Sequence, residues 1–188
     1  MKKKNRAPVL YVAGRQFPVH QFYTEERTIE YLDTTLVTIL QLHRDEPVPG
    51  DILVFLTGQD EIENMERMLL DILPELPAET PKMFICPLYA ALPASLQVRV
   101  FEPTPIGARK VILATNVAET SITINGIVHV VDCGFVKERT FNPKTGMESL
   151  QVHPISKAAA RQRSGRAGRE VSSSDKINIF IHLVDNQL

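Results

Sequence analysis

Asp51-Ile-Leu-Val-Phe-Leu56, closed by Thr57-Gly58 and followed by Asp60-Glu-Ile-Glu-Asn-Met-Glu-Arg-Met-Leu-Leu-Asp-Ile72, decides the architecture. The unbroken apolar run Ile52–Leu56, ended by turn formers, reads as a strand buried on both faces. After it, Ile62, Met65, Leu69 and Ile72 form a helical stripe with acids on the opposite face, an amphipathic helix covering that strand. The unit recurs on both sides. Upstream, Ile29, Leu32, Leu36, Ile39, Leu40 and His43 share one helical face, preceded by strand-like Val9–Ala13 and Phe17–Tyr23 around a Gly14 turn. Downstream come a strand at Met83–Leu88, a short helix at Pro93–Phe101 opened by its proline, and strands at Val111–Thr115 and Ile127–Asp132. This alternation predicts an α/β fold, a parallel sheet with helices on both faces. Ligands of such sheets lie beyond the carboxyl ends of the strands, so Thr57-Gly58, Thr115-Asn116 and the loop after Asp132 share a functional edge.

The pattern changes after Asp132. Phe135–Phe141 and Met147–Val152 flank the turn-forming Asn142-Pro-Lys-Thr-Gly146, which predicts a β-hairpin projecting from the sheet. Alanine-rich Ser156–Arg163 predicts a helix, Ser172-Ser-Ser174 a loop, and Lys176–Val184 one more strand.

The 188 residues suit one domain with an irregular tail, and 44% hydrophobic residues suffice for a core that must be mainly aliphatic, since there is no Trp. The net charge of -1 hides an uneven distribution. Residues 41–80 carry ten acids against Arg44 and Arg67, whereas residues 155–169 carry Lys157, Arg161, Arg163, Arg166 and Arg169 with no acid. That concentrated patch suits a phosphate-bearing partner at one place, not a protein coated for wrapping nucleic acid. Cys86 and Cys133 lie in apolar runs without ligand spacing, and the histidines are scattered, so neither a disulfide framework nor a metal site within the chain is expected. No apolar stretch approaches a bilayer span and no signal-peptide core follows Met1-Lys-Lys-Lys4, so an intracellular, reducing compartment and no membrane partner are expected.

Within the basic patch, Gln162-Arg-Ser-Gly-Arg-Ala-Gly-Arg169 sets arginines among residues of minimal bulk, an arrangement that brings planar guanidinium forks to phosphate oxygens. With it stand Leu53-Val-Phe-Leu-Thr-Gly-Gln-Asp-Glu-Ile-Glu63, Pro87-Leu-Tyr-Ala-Ala-Leu-Pro93, Gln97-Val-Arg-Val-Phe-Glu-Pro103, Arg109-Lys-Val-Ile-Leu-Ala-Thr-Asn-Val-Ala-Glu-Thr-Ser-Ile-Thr123, Val130-Val-Asp-Cys-Gly-Phe135 and Pro154-Ile-Ser-Lys-Ala158. In this order they resemble the second RecA-like domain of DEAH-box RNA helicases of superfamily 2, from about Pro8 to Glu170. The resemblance divides the chain into a lead-in over 1–24, the RecA-like domain over 25–170 and a divergent tail over 171–188.

The resemblance implies a P-loop-NTPase-type architecture and half of a two-lobed motor, with ATP and Mg²⁺ between the lobes and RNA, taken as single-stranded, crossing both. Arg166 and Arg169 resemble the arginines that reach the γ-phosphate, and Gln162 the glutamine beside the attacking water. Phe101 resembles the aromatic that packs on the base, although a phenylalanine ending a helix is by itself read as core. Asn125 stands where many relatives have an aspartate near the nucleotide sugar, which implies an altered ribose contact. Thr57, Gly58, Thr115 and Asn116 match RNA-backbone positions, though alone they read as turn chemistry at strand ends. Ser121 and Thr123 read equally as caps or phosphate donors. The hairpin resembles the family's strand-separating element, offering Lys137, Arg139 and Lys144 to phosphates, or reads as a plain edge hairpin with solvated cations.

Two features depart from a complete motor. No Gly-x-x-x-x-Gly-Lys-Ser/Thr occurs, and Asp60-Glu61 reads as a helix start favoured by the dipole, not a metal motif. After Glu170 the expected glycine turn and C-terminal helical domains do not follow. The expectation is a truncated chain that lacks its own ATPase activity and needs a first RecA-like domain, C-terminal helicase domains and an activator protein. The alternative is an RNA- or partner-binding module. A nuclear or nucleolar place is expected ahead of a cytoplasmic one.

Overall fold

The structure, a computed structural model, describes residues 17–24, 30–120, 122–143, 146–169 and 178–183. The strands are β1 (Val19–Tyr23), β2 (Asp51–Phe55), β3 (Lys82–Leu88), β4 (Ala108–Ala114), β5 (Ile127–Asp132), β6 (Phe135–Asn142), β7 (Met147–Pro154) and β8 (Asn178–His182). The helices are α1 (Tyr31–Asp45), α2 (Gln59–Ile72), α3 (Ala94–Gln97), α4 (Val117–Thr120) and α5 (Lys157–Ser164). Six strands form one parallel sheet in the order β1-β8-β5-β2-β4-β3, and β6 and β7 pair as a separate antiparallel hairpin.

Alternation along β2 gives the sheet its two covered faces. Ile52, Val54 and Leu56 pack with Ile39 and Leu42 of α1 and Ile62, Met65 and Leu69 of α2. Leu53 and Phe55 pack on the other side with Val100, Ala118, Ile124, Ala167 and Phe180. Both faces being buried is why these strands read as continuous apolar runs.

Three details differ from the sequence expectation. The helix at 93–101 is split: Pro93 is the N-cap of α3, and Val98–Phe101 tightens into a 3₁₀ turn. Glu102 then goes extended ahead of Pro103, a residue that disfavours helix before it. β4 begins at Ala108 rather than Val111, so Arg109 and Lys110 lie buried inside a central strand. Backbone carbonyls make that possible. Arg109 donates to Leu42 O (2.7 Å), Glu46 O (2.7 Å) and Pro47 O (3.0 Å), satisfying the orphan carbonyls at the end of α1. Lys110 Nζ donates to Val100 O (3.1 Å) and Glu102 O (2.5 Å), 4.0 Å from Asp51 Oδ2. Finally, Phe101 is not core: half of it is exposed.

The last strand sits inside the sheet. β8 lies between β1 and β5, so both the lead-in and the segment beyond residue 170 contribute strands. Gly168 closes this region: Phe17 N–H donates to its carbonyl at 3.0 Å, and a β-carbon there would stand 2.9 Å from Phe17 O. The expectations for Val9–Ala13, Gly14, Ile29, Ser121, Lys144, Glu170 and residues 172–174 fall outside the described residues.

Candidate nucleic-acid and nucleotide site

The candidate residues divide between the two edges of the sheet. Beyond the carboxyl ends of β2 and β4 lie Thr57-Gly58 and Thr115-Asn116, one strand apart. Leu56 N–H donates to Ala114 O (2.8 Å) and Thr115 N–H to Leu88 O (3.2 Å), which carries the ladder to the loop mouths. Asn116 is exposed and starts the turn into α4, its carbonyl accepting from Glu119 N at 3.0 Å. With Glu119, Thr120, Val136, His153, Ser156 and Arg163 it borders a cleft of about 400 Å³ between the hairpin root and the start of α5.

Thr57 is buried and turned inward. Its N–H donates to Glu61 Oε2 (2.9 Å) and its hydroxyl to Glu61 Oε1 (2.6 Å). Glu61 is the third residue of α2, so its carboxylate reaches back over the helix start as in a capping box. Gly58 is the N-cap of α2 and lies beneath the Lys137 side chain: a β-carbon there would stand 3.6 Å from Lys137 Cδ and 3.9 Å from Nζ. Lys137 and Arg139 are exposed on β6, opposite Val152 and Leu150 in the register. They share a face because strand side chains alternate. Arg139 Nη1 lies 3.6 Å from Glu148 Oε2, both side chains open to solvent.

Phe101 and Asn125 are at the opposite edge, near the starts of β4 and β5. Asn125 is exposed in the turn before β5, and Phe101 ends its 3₁₀ turn. Asp51 ties this edge together, accepting from Thr104 Oγ1 (2.6 Å) and Lys110 N (2.9 Å). Burial pushes its carboxyl upward, against the pull of those partners.

Residues 117–126 carry the chain from one edge to the other, and the arginine segment lies against them. Arg166 is 7% exposed: its Nε donates to Glu119 O at 2.9 Å, Nη2 donates to the same oxygen, and Nη1 donates to Ile122 O. Arg169 is exposed and donates to Thr123 Oγ1 at 2.7 Å. Gln162 is exposed on α5, whose start is capped by Ser156 Oγ accepting from Ala159 N at 3.1 Å. The loop thus holds both arginines, Arg166 through backbone carbonyls and Arg169 through a hydroxyl.

Beneath them lies an ion network that sequence reasoning missed. Arg163 is 1% exposed, donating through Nη1 to Asp132 Oδ1 (2.7 Å) and Phe135 O (3.3 Å) and through Nε to Glu119 Oε2 (3.1 Å). Its guanidinium carbon sits 4.8 Å from the Phe55 ring centroid. Burial opposes the charge on Arg163, but the Asp132 carboxylate more than offsets it and raises the pKa. Asp132 is fully buried, which disfavours its charge. His182, whose Nδ1 stands 3.4 Å away, together with Arg163 and the Gly134 N–H (2.9 Å), nevertheless holds it below the usual carboxylate range. The available signal was Arg163 itself, an arginine on the inner face of a helix facing a strand that ends in aspartate.

Comparison with known proteins bears on the family and the fold. The mouse "ATP-dependent RNA helicase DHX33" is 55% identical over 168 residues, which are 89% of this chain and 24% of that protein. The Arabidopsis thaliana "Pre-mRNA-splicing factor ATP-dependent RNA helicase DEAH10" is 57% identical over 164 residues, 87% of this chain and 23% of that protein. The chain therefore spans about a quarter of the length of these relatives. Two crystal structures of E. coli HrpB, described as a DEAH/RHA helicase and a DExH-box NTPase, superpose with TM-scores of 0.79 and 0.75 at 37% and 36% identity. They cover 96% and 92% of this chain, which in turn covers 22% and 20% of theirs. The six-stranded α/β fold is RecA-like, matching these helicase neighbours. The profile described as "Helicase conserved C-terminal domain" matches residues 29–170, so the chain belongs to that family.

Proposed function

We propose that this chain is the second motor lobe of an ATP-dependent RNA helicase. In that role it supplies arginine side chains toward the γ-phosphate and backbone contacts to single-stranded RNA. The observation that carries the reading is the separation of its two candidate sets onto opposite sheet edges, joined by the loop that both arginines hold. Thr57-Gly58, Asn116 and Lys137 lie on one edge, Phe101 and Asn125 on the other.

This lobe fits a nucleotide as one wall of a shared site. Phe101 is half-exposed, Asn125 is exposed, and Arg169 has a surface-lying guanidinium with donors to spare beyond Thr123. Phe101 and Asn125 lie open at this edge, a half-wall that a second lobe completes in this reading. ATP, with Mg²⁺ from that lobe, supplies the hydrolysis energy. This chain's arginines stabilise charge that develops on the phosphoryl group in such reactions. Arg169 is the readier of the two. Arg166 holds the Glu119 and Ile122 carbonyls and must leave them to meet a phosphate.

On the RNA edge, glycine N–H, amide and ammonium groups recognise the sugar–phosphate backbone without reading bases. The first RecA-like lobe, the C-terminal helicase domains and an activator protein are the partners this role calls for, and the chain alone is inactive as an ATPase.

The test is ATP turnover with single-stranded RNA present, for the 188-residue chain and for a two-lobed protein carrying it. No turnover by the chain, and turnover by the two-lobed protein that Arg169→Ala lowers by about 10³-fold or more, support the reading. Turnover by the chain alone, or an Arg169→Ala protein within a few-fold of its parent, overturns it.

A further inference from the structure

Resting on the RNA-lobe reading above, we infer that Tyr31 and Glu61 are positioning residues for the Thr57-Gly58 backbone loop, tying it to the root of the hairpin. Neither residue touches RNA in this scheme. Each acts through its neighbours.

Thr57 matches an RNA-backbone position, yet both of its donors are engaged: the N–H goes to Glu61 Oε2 and the hydroxyl to Glu61 Oε1. A phosphate oxygen needs donors. The Gly58 N–H, which makes no hydrogen bond among the described residues, and the Lys137 ammonium above it meet that need. Thr57 thus serves as an anchor that fixes the angle at which Gly58 is presented. The anchor is only as firm as the Glu61 carboxylate, and that carboxylate is held by a third donor. Tyr31 OH donates to Glu61 Oε1 at 2.5 Å. Burial, and then the Glu61 carboxylate itself, push the Tyr31 hydroxyl pKa well above its ordinary value, so it stays a donor.

The far side of Tyr31 reaches the hairpin. Its ring stacks on Phe135, the first residue of β6, with centroids 5.4 Å apart and planes 28° from parallel. The Phe135 carbonyl accepts from Arg163 Nη1 at 3.3 Å, which ties the same point to the buried ion network. Lys137 follows two residues along β6 and lies over Gly58. One aromatic residue at the start of α1 therefore touches both halves of the phosphate seat: the loop through its hydroxyl, and the lysine-bearing strand through its ring.

The experiment uses the 188-residue chain and a fluorescein-labelled single-stranded RNA 12-mer, followed by anisotropy across a salt series. Tyr31→Phe keeps the stack and removes only the hydroxyl. Glu61→Gln keeps the shape but can no longer accept from all three donors. Each should weaken binding about three- to tenfold, the range of one lost hydrogen bond, with the salt slope unchanged because no phosphate contact is removed. Lys137→Gln, a direct contact, should lower that slope by about 0.7. The Thr57 amide should exchange with deuterium faster in both positioning variants, with circular dichroism reporting the folded fraction. Affinities of Tyr31→Phe and Glu61→Gln within about twofold of the parent, alongside a weakened Lys137→Gln, overturn the inference and leave the RNA reading standing. So does a loss fully matched by a loss of folded protein. No binding by the parent chain overturns the RNA reading, and the inference with it.

Discussion

Replacing Arg163 by Met should cost more stability than any other single change near the basic segment. The substitution leaves a comparable apolar volume against Phe55 but removes the partner of Asp132, a carboxylate with no exposed surface. What remains around Asp132 is the Gly134 N–H and His182 at 3.4 Å. Breaking a buried pair on one side costs about 3–5 kcal/mol, which for a domain of this size is roughly 6–20 °C in Tm. The pH dependence follows from the direction of the shifts. In the parent chain Asp132 is held below its unfolded value, so its contribution is present above about pH 4 and lost as pH falls further. Without Arg163, burial should outweigh the remaining His182 and Gly134 contacts and lift the folded pKa above the unfolded one. The penalty is then absent at about pH 4 and grows as pH rises past it. Guanidinium denaturation of both proteins at about pH 5 and about pH 8 should show the larger gap at the higher pH. Adding Asp132→Leu to the Arg163→Met protein should recover much of the loss, because an apolar replacement removes the stranded charge. A gap below about 1 kcal/mol at neutral pH, or one that does not vary with pH, refutes the argument that the pair is a charge network rather than packing.

Three further outcomes are expected. Gly168→Ala sets a β-carbon 2.9 Å from Phe17 O and should cost about 1–3 kcal/mol by overpacking, read from thermal melts; an unchanged Tm would mean β1 yields freely. Phe101→Ala should lower stability by under about 1 kcal/mol because the ring is half-exposed, while weakening ADP binding by a two-lobed protein severalfold; a large stability loss with no change in ADP affinity would return the ring to the core. His43 is buried with its pKa lowered, first by desolvation and then by Arg109, so the unfolded state binds the proton more readily. Stability should therefore fall as pH drops below about 6.5, and urea denaturation of His43→Gln should show a shallower decline.

The strands and their covering helices were legible because burial on both faces writes itself as uninterrupted apolar runs, as in Ile52–Leu56, and because α2 has a clean stripe. Arg109 and Lys110 were not, since hydropathy marks two adjacent cations as surface, and only the carbonyls at the end of α1 and around Glu102 make them tolerable inside. The candidate residues could be placed on loops from the strand order, but their accessibility could not. Thr57 and Arg166 both carry donors in the sequence, and both spend them on groups of this same chain. Glu61 was readable as a helix start, yet its reach across to Tyr31 depends on a packing of α1 that no local pattern contains. Phe101 shows the reverse: residue type alone reads as core, and a 3₁₀ turn leaves the ring half in solvent.

The position of β8 has a consequence for how the molecule is made. During synthesis β4 emerges soon after β2 and β3 and inserts between them, and β5 then adds beside β2. β1 has no such early partner: its neighbour in the sheet is β8, more than 150 residues later, whose emergence also covers the flank of β5. A nascent chain therefore carries an unpaired Val19–Tyr23 and an open β5 flank until almost its last described residues have left the ribosome. Such unpaired strands template association with other chains. The vulnerable interval is set by how late one five-residue segment arrives.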